Sequence, residues 1–117
     1  MPWVNMILGK AGSKEEQDDL KAGVARILQE VMAKEEQGLT VTFQAAAGFY
    51  RGGQTCLEGA VVEVRYIGRY PLDKKQEVTR RLCTLLASRL GLDPGKIIVP
   101  FSEFSSEDYG RRQGDFQ

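Results

Sequence analysis

Apolar and polar residues follow one another along this chain with two different periods, and the change of period predicts its elements. Residues 2–8 are apolar on both faces, which is typical of a strand buried within a sheet. Residues 39–46 and 60–66 alternate at every second position and predict two further strands. Residues 97–101 predict a fourth strand. Residues 48–54 are glycine-rich and predict a loop. These glycines match no phosphate-binding pattern, so a flexible turn is expected there and not a phosphate site.

Two longer stretches have apolar residues at the spacing of an amphipathic helix. The first is expected to begin at a capping box formed by Ser13 and Glu16 and to end near Lys34. The second is expected to be capped by Asp73 and to end at Gly91. The apolar stripes are Leu20, Val24, Ile27, Leu28 and Val31 in the first helix, and Val78, Leu82, Leu85, Leu86 and Leu90 in the second.

The order of these elements is strand, helix, strand, repeated once. Two such βαβ units predict an α/β (α+β) fold with one four-stranded mixed sheet and both helices on one face, in a single domain of residues 1–117. That arrangement leaves the opposite face of the sheet uncovered, with Val, Ile and Phe side chains expected to face outward. Because exposed apolar patches mark interfaces, the bare face predicts an oligomer whose sheet faces pack together.

Composition narrows the classes of partner. The 117 residues include 16 basic and 16 acidic side chains, so the net charge gives no reason to expect nucleic acid or an anionic membrane as a partner. No apolar run approaches the ~20 residues of a membrane-spanning helix, and no signal-peptide pattern is present, so a cytoplasmic protein is expected. The chain has no histidine and no CxxC, and no metal or cofactor is expected.

The first two residues offer candidate chemistry. If Met1 is removed, Pro2 carries a free secondary amine, and burial in an apolar pocket would lower its pKa below the ~8 of an exposed terminus. Such an amine could act as a general base near neutral pH. A structural interpretation stands beside this one, since proline is well tolerated as the first residue of a strand. With Met1 attached, the Pro2 nitrogen is an amide without a basic lone pair.

Residues 59–101 and several positions outside them form a pattern shared with a known family. The positions are, in chain order, Pro2, Lys34, Ile67-Gly68, the runs 82–86 and 89–94, Gly110 and Phe116. Together they resemble the macrophage migration inhibitory factor family, within the tautomerase superfamily, over essentially the whole chain. No single motif is specific, whereas the joint placement of Pro2, Lys34 and Ile67-Gly68 is.

The resemblance implies a homotrimer with active sites between neighbouring subunits. It also implies a keto–enol tautomerase, without a cofactor, that acts on phenylpyruvate-like α-keto acids or dopachrome-like substrates. In that chemistry Pro2 takes the α-proton, Lys34 holds the substrate carboxylate or the enolate oxygen, and the backbone amide of Ile67 supplies a further donor. Apolar walls around the substrate are implied for Trp3, Tyr109 and Phe116.

Three positions depart from the family pattern. On the last strand, Ile98 and Pro100 replace a tyrosine and an asparagine that reach the active site in many members, and neither side chain can donate a hydrogen bond. Pro100 also lacks a backbone donor, which fits only an edge position or a bulge. Arg111 replaces an aromatic residue, and its guanidinium could bind a carboxylate bidentately and favour more acidic substrates.

Other functions stay open. Lys34, at the end of a helix, is well placed to offset the helix dipole without any role in catalysis. The same trimeric fold could serve as a non-catalytic binding or cytokine-like signalling protein, and the family resemblance includes members that leave cells without a signal peptide. A ferredoxin-like domain that senses a small ligand would share the βαβ pair, with Pro2 incidental.

Overall fold

One mixed sheet packed against two long helices forms the framework of the computed structural model, which describes residues 1–111. Short 3-10 turns follow α1, α2 and the last strand, at Glu36–Gly38, Pro94–Lys96 and Ser106–Asp108. The strands are β1 (Trp3–Leu8), β2 (Thr40–Ala45), β3 (Tyr50–Arg51), β4 (Gln54–Thr55), β5 (Ala60–Ile67), β6 (Ile97–Ile98) and β7 (Phe101–Phe104), and the helices are α1 (Lys14–Met32) and α2 (Leu72–Leu90).

The sheet has the predicted topology of two βαβ units. Its order is β2-β1-β5-β6, with β7 also paired to β5. β1 is parallel to β2 and antiparallel to β5, while β5 is parallel to both β6 and β7. The mixed sheet and the fold class are therefore confirmed.

The predicted fourth strand is divided into two segments. β6 ends at Ile98 and β7 begins at Phe101, because Pro100 has no N–H with which to continue the ladder. The Pro100 carbonyl still accepts a hydrogen bond from the Val64 N–H at 3.0 Å, so both segments stay along β5. The strand also runs on to Phe104, three residues beyond the predicted end at residue 101.

The core lies between the two helices and one face of the sheet. In β5, Val62, Val64 and Tyr66 are fully buried and share the face that packs on the helices. Gly23 of α1 lets the helices approach closely, since a Cβ there would come within 2.7 Å of the Leu85 methyl groups. The other fully buried side chains are Val4, Met6, Leu20, Leu28, Val24, Val78, Leu82 and Leu86.

The structure confirms three of the four predicted helix ends. Ser13 and Glu16 form the predicted capping box, with each backbone N–H donating to the other residue's side chain. Gly91 ends α2 in the left-handed conformation, at φ 68°. The prediction for the start of α2 is wrong, because Pro71 is the N-cap residue and Asp73 lies inside the first turn. The end of α1 is described with the site below.

Residues 48–54, predicted to be a loop, contain half of a small hairpin. β3 and β4 pair antiparallel across a two-residue turn, and both turn residues, Gly52 and Gly53, have positive φ angles of 60° and 79°. Two consecutive left-handed residues are typical of a type I′ turn, which only glycine and a few polar residues adopt without strain. Arg51 anchors the hairpin by donating to the Gly95 carbonyl at 3.1 Å.

The uncovered sheet face is polar at its centre. The Asn5 amide donates to Gln44 at 2.7 Å and to Glu63 at 2.9 Å, and it accepts from the Thr42 hydroxyl at 2.6 Å. The expectation of outward Val, Ile and Phe side chains is therefore wrong for this part of the face. Alternation along the strands explains the error, since Asn5 lies within an apolar run but points away from Val4 and Met6.

Neither helix in the described part of the chain is long and apolar enough to cross a lipid bilayer.

Gly9 lies where the chain leaves β1 and passes close to the backbone of a neighbouring loop. A Cβ atom at Gly9 would come within 2.7 Å of the Cys56 carbonyl oxygen and 2.9 Å of the Leu57 carbonyl oxygen. Because backbone atoms cannot rotate aside, we expect Gly9→Ala to lower the free energy of unfolding by about 1–3 kcal/mol in urea denaturation. Gly12→Ala is the control, since its Cβ would meet nothing closer than 3.6 Å. Equal losses in both variants would contradict the prediction.

Candidate active site

The directions of the strands gather the predicted site residues at one end of the sheet. β1 and β2 are parallel, so α1 must return the chain to the end where β1 begins, and Lys34 follows α1 there. β5 is antiparallel to β1, so Ile67, its last residue, lies at the same end. β7 is parallel to β5 and delivers the segment leading to Tyr109 to that end as well.

A cavity of about 380 Å³ lies beside Pro2. Pro2 is buried, and its carbonyl accepts a hydrogen bond from the Thr40 N–H at 3.0 Å, which ties the start of β1 to the start of β2. Three of the predicted site residues, Pro2, Tyr109 and Arg111, line this cavity together. The remaining lining consists of Met1, Gln37, Gly38, Leu39 and Thr40.

Met1 occupies part of this region. A Cβ atom at Gly38 would lie 3.1 Å from the Met1 sulfur, so the methionine side chain packs directly on the glycine. Loss of Met1 would therefore have two consequences. It would convert the Pro2 nitrogen from an amide to a secondary amine, and it would empty the space that the Met1 side chain fills beside it.

Lys34 is presented by a specific ending of α1. The helix ends at Met32, and Ala33 adopts the left-handed conformation at φ 54°, which costs a residue with a side chain about 1–2 kcal/mol. The Ala33 N–H donates to Gln29 and the Lys34 N–H donates to the Leu28 carbonyl at 3.1 Å, so the helix carbonyls are satisfied. Lys34 thus lies two residues beyond the helix, close to the predicted end.

The structure brings Lys34 and Ile67 together. The Lys34 ammonium donates to the Ile67 carbonyl at 3.4 Å. It also lies 5.6 Å from the ring centroid of Tyr66 and 5.5 Å from that of Tyr70, within the range of cation–π contacts. The two rings pack edge to face, with centroids 5.2 Å apart and planes at 86°.

Glu103 holds both tyrosines through one carboxylate oxygen. Its Oε2 atom accepts the Tyr66 O–H at 2.8 Å and the Tyr70 N–H at 2.9 Å, and its other oxygen lies 3.4 Å from the Lys75 ammonium. Burial acts to raise the pKa of Glu103, but the hydrogen bonds and the Lys75 charge together hold that pKa below its usual range. Burial and the bond to Glu103 raise the pKa of Tyr66, which therefore remains a neutral donor.

Sequence reasoning missed Tyr66, Tyr70 and Glu103. Tyr66 lies on the core face of β5, but its hydroxyl has a polar partner 37 positions away. A buried tyrosine usually needs a partner for its hydroxyl, and this is the signal that could have prompted a search. Nothing in the local sequence identifies Glu103 as that partner, since it lies in a strand of mixed composition.

The other predicted site residues in the described range, Lys34, Ile67 and Trp3, are not among those that line this cavity. Trp3 lies on the uncovered sheet face, where its indole N–H donates to Thr42 at 2.9 Å and the Arg65 guanidinium lies 4.3 Å from its ring centroid. Ile98 is 57% exposed on β6. Phe116 lies outside the described residues. The substrate-binding roles of Trp3 and Phe116 stay predictions.

Tyr109 is half-buried at the cavity. Its ring packs against Phe104 with centroids 5.5 Å apart. Burial raises the pKa of Tyr109, and the charge of Arg65 acts in the opposite direction. Within residues 1–111, no three Cys, Asp or Glu side chains cluster in a way that could hold a metal ion. The side chains that line the cavity offer the Arg111 guanidinium and the Tyr109 phenol, and a Pro2 amine would join them only if Met1 is removed.

The pH dependence of stability tests the Glu103 contacts. The pKa of Glu103 is lower in the folded protein than in the unfolded chain. Glu103 therefore stabilises the native state at pH values above its unfolded-state pKa, and this stabilisation is lost as the pH falls through its folded-state pKa. We expect Glu103→Gln to unfold at a lower urea concentration than wild type at pH 7. The two midpoints should converge towards about pH 3. The exposed Glu107→Gln should match wild type throughout; a gap for Glu103→Gln that persists unchanged at low pH would contradict this account.

Three solved structures illustrate how this chain compares with known proteins. Leishmania major MIF2 is 21% identical with a TM-score of 0.86, covering 98% of this chain and 96% of that protein. Pt0534 inactivated by 2-oxo-3-pentynoate is 15% identical with a TM-score of 0.86, covering 97% and 94%. F6, a fused 4-OT asymmetric trimer, is 13% identical with a TM-score of 0.87, covering 97% and 95%.

No protein-family model matches the chain, and a search of curated proteins found no match. The likeness therefore lies in three-dimensional structure and covers nearly the full length of both partners in each pair. The chain has the fold shared by macrophage migration inhibitory factor proteins and other members of the tautomerase superfamily.

Proposed function

We propose that this protein is a keto–enol tautomerase in which the Pro2 amine, freed by removal of Met1, is the general base. The observation that carries the proposal is a buried Pro2 that lines one cavity with the cationic Arg111 and the phenol of Tyr109. Burial favours the neutral amine, so the proline nitrogen would be able to accept a proton near neutral pH.

The proposed reaction moves one proton within the substrate and needs no redox partner. The Pro2 nitrogen takes the proton from the carbon beside the carbonyl, and the electrons of the C–H bond form the enolate. The same proton then passes to the enolate oxygen, which regenerates the amine; the reverse direction begins at the enol O–H. Cations near the developing oxyanion lower the barrier, and Lys34 and Arg111 are the candidates at this end of the sheet.

We infer an α-keto acid such as phenylpyruvate as the substrate class. A guanidinium can bind a carboxylate through two parallel hydrogen bonds, which suits Arg111 at the cavity wall. Pt0534, whose fold this chain shares, is inactivated by 2-oxo-3-pentynoate, itself a 2-oxo acid. The backbone amide of Ile67 remains the proposed further donor, and Tyr109 remains a proposed wall for an aromatic substrate.

We also propose that the protein works as a homotrimer in the cytoplasm. The fused 4-OT structure of the same fold is a trimer. A neighbouring copy would place further residues at the mouth of the cavity, and Ile98, exposed in the single chain, is a candidate for such a contact.

A non-catalytic binding protein of the same fold is the second candidate function. It is favoured by Ile98 and Pro100, since neither side chain can donate a hydrogen bond to an oxyanion. In that case the cavity beside Pro2 would bind a small acid without turning it over.

Replacing the proposed base distinguishes these two functions. We expect Pro2→Gly to lower kcat/KM for ketonisation of enol-phenylpyruvate, by no more than the ~10²–10⁴-fold that general-base catalysis contributes, because glycine keeps an α-amine but loses the fixed geometry of the proline ring. Mass spectrometry must show that Met1 is absent from both proteins, and sedimentation must show the same assembly near three subunits. The exposed Arg26→Ala is the control and should keep the wild-type rate. Equal rates for Pro2→Gly and wild type would exclude Pro2 as the required base and end the tautomerase proposal in this form.

The proposed binding of a substrate carboxylate by Arg111 is tested by comparing a charged substrate with an uncharged one. We expect Arg111→Ala to raise KM for phenylpyruvate by about tenfold with a small change in kcat, since one charge-assisted contact is worth about 1.5–3 kcal/mol. The effect should be absent for an uncharged methyl ester of the same substrate. An unchanged KM for the acid would remove Arg111 from the site.

A further inference from the structure

We propose that Tyr66, Tyr70 and Glu103 form a positioning device for Lys34, in which the carboxylate binds the Tyr66 hydroxyl and the Tyr70 backbone N–H, and the two rings hold the ammonium group for a substrate anion. The three residues are called the tyrosine clamp below. The inference deepens the proposed function, because it concerns how the cation of that site is oriented.

The clamp addresses a physical difficulty. A lysine side chain has four flexible methylene groups, and its ammonium group is a point charge that many geometries satisfy. Lys34 also lies just outside a helix, where the backbone alone restrains it less. Fixing its head group therefore needs contacts at the ammonium itself. The Ile67 carbonyl and the two rings of the clamp are these contacts.

Tyr70 connects the clamp to the backbone from which Lys34 emerges. Its O–H donates to the Met32 carbonyl at 2.9 Å, at the last residue of α1, while its N–H donates to Glu103 at 2.9 Å. One residue thus joins β7 to the end of the helix that presents Lys34. Its ring lies between these two contacts, with the Lys34 ammonium 5.5 Å from the ring centroid.

The turn between the two tyrosines is also pinned to β7. Gly68 has a φ angle of 104°, which residues with a side chain rarely adopt, and its N–H donates to the Phe104 carbonyl at 2.9 Å. Tyr66 precedes this turn and is fully buried, and Tyr70 follows it. The turn and the Glu103 carboxylate therefore hold the rings at their edge-to-face angle.

The charges are arranged so that Lys34 is not neutralised by the clamp. Glu103 is paired with Lys75, and the salt bridges found within residues 1–111 do not include Lys34. The contacts of the Lys34 ammonium are a carbonyl oxygen and two aromatic faces, which attract a cation without cancelling its charge. Such a cation keeps its full charge for a carboxylate or an enolate oxygen.

Tyr70 is the residue at which to test the clamp, because Tyr66 is fully buried and its loss could prevent folding. Tyr70→Phe keeps the ring and removes the bond to Met32, whereas Tyr70→Leu removes the ring as well. We expect Tyr70→Leu to raise KM and the dissociation constant for phenylpyruvate by roughly 5-fold to 10-fold with little change in kcat. Tyr70→Phe should stay within about 2-fold of wild type, since the aromatic face is retained.

A spectroscopic readout reports on Lys34 directly. The rings should shift the NMR signals of the Lys34 ε-methylene group upfield of the other lysines, with the assignment made from Lys34→Arg. Tyr70→Leu should move this signal back towards the other lysines, and Tyr70→Phe should not. Phe101→Leu removes an aromatic ring elsewhere on β7 and should leave both the signal and KM unchanged.

The outcomes separate this inference from the proposed function. If Tyr70→Leu leaves the Lys34 signal in place, or moves it without weakening phenylpyruvate binding, the clamp does not position Lys34 for a ligand and the inference is overturned. If wild type and Pro2→Gly are equally inactive, the tautomerase proposal fails. The Lys34 signal and the dissociation constant for phenylpyruvate would still decide on the clamp in that case.

Discussion

The double pairing of β1 is the constraint on which the rest of the structure depends. All six residues of β1 are paired with β2 on one side and with β5 on the other, so the first strand of the chain lies inside the sheet. Pro2 is buried for this reason. If β5 ran parallel to β1, Ile67 would lie about 20 Å away at the far end, since six residues of strand span that length. The mixed sheet is therefore a condition for the site, because only antiparallel pairing brings Ile67 to the start of β1.

The charged groups at this end of the sheet are held by different means. Glu103 is ionised, largely removed from water, and satisfied by two hydrogen bonds and Lys75. Within residues 1–111, the Lys34 ammonium contacts one carbonyl oxygen and two aromatic rings. A direct pair between Lys34 and Glu103 would hold both groups more simply, but it would leave no cation for a substrate anion. Contacts through the two tyrosines hold Lys34 and leave its charge available to a ligand.

Local patterns in the sequence were sufficient for the elements and insufficient for the contacts between them. Apolar periodicity predicted both helices and the strands of the main sheet, because burial of one face requires that spacing. The polar centre of the uncovered face was missed, because strand register places Asn5 beside Thr42 and Glu63 and the local sequence does not show that register. Glu103 was missed for the same reason, as its partners come from β5 and from the turn that follows it. Pro2 was identified from the chemistry of a free terminal amine, Tyr109 and Arg111 were identified through the family resemblance, and strand direction explains why they meet.

The polar face changes the physical basis for assembly. Asn5 is already satisfied within the chain, and Glu63 is paired with Arg65, so these groups gain little by contact with another copy. A trimer formed through this face would enclose a hydrated polar surface, and bridging water would satisfy it about as well as direct bonds. The free energy of association must then come largely from apolar side chains elsewhere. Within residues 1–111, the large exposed apolar side chains lie off the centre of this face, at Tyr50, Leu57, Leu72 and Ile98. In the proposed homotrimer, Ile98 on the sheet edge and Tyr50 on the hairpin would therefore supply apolar contact area, and the uncovered face would need only to be complementary in shape and charge.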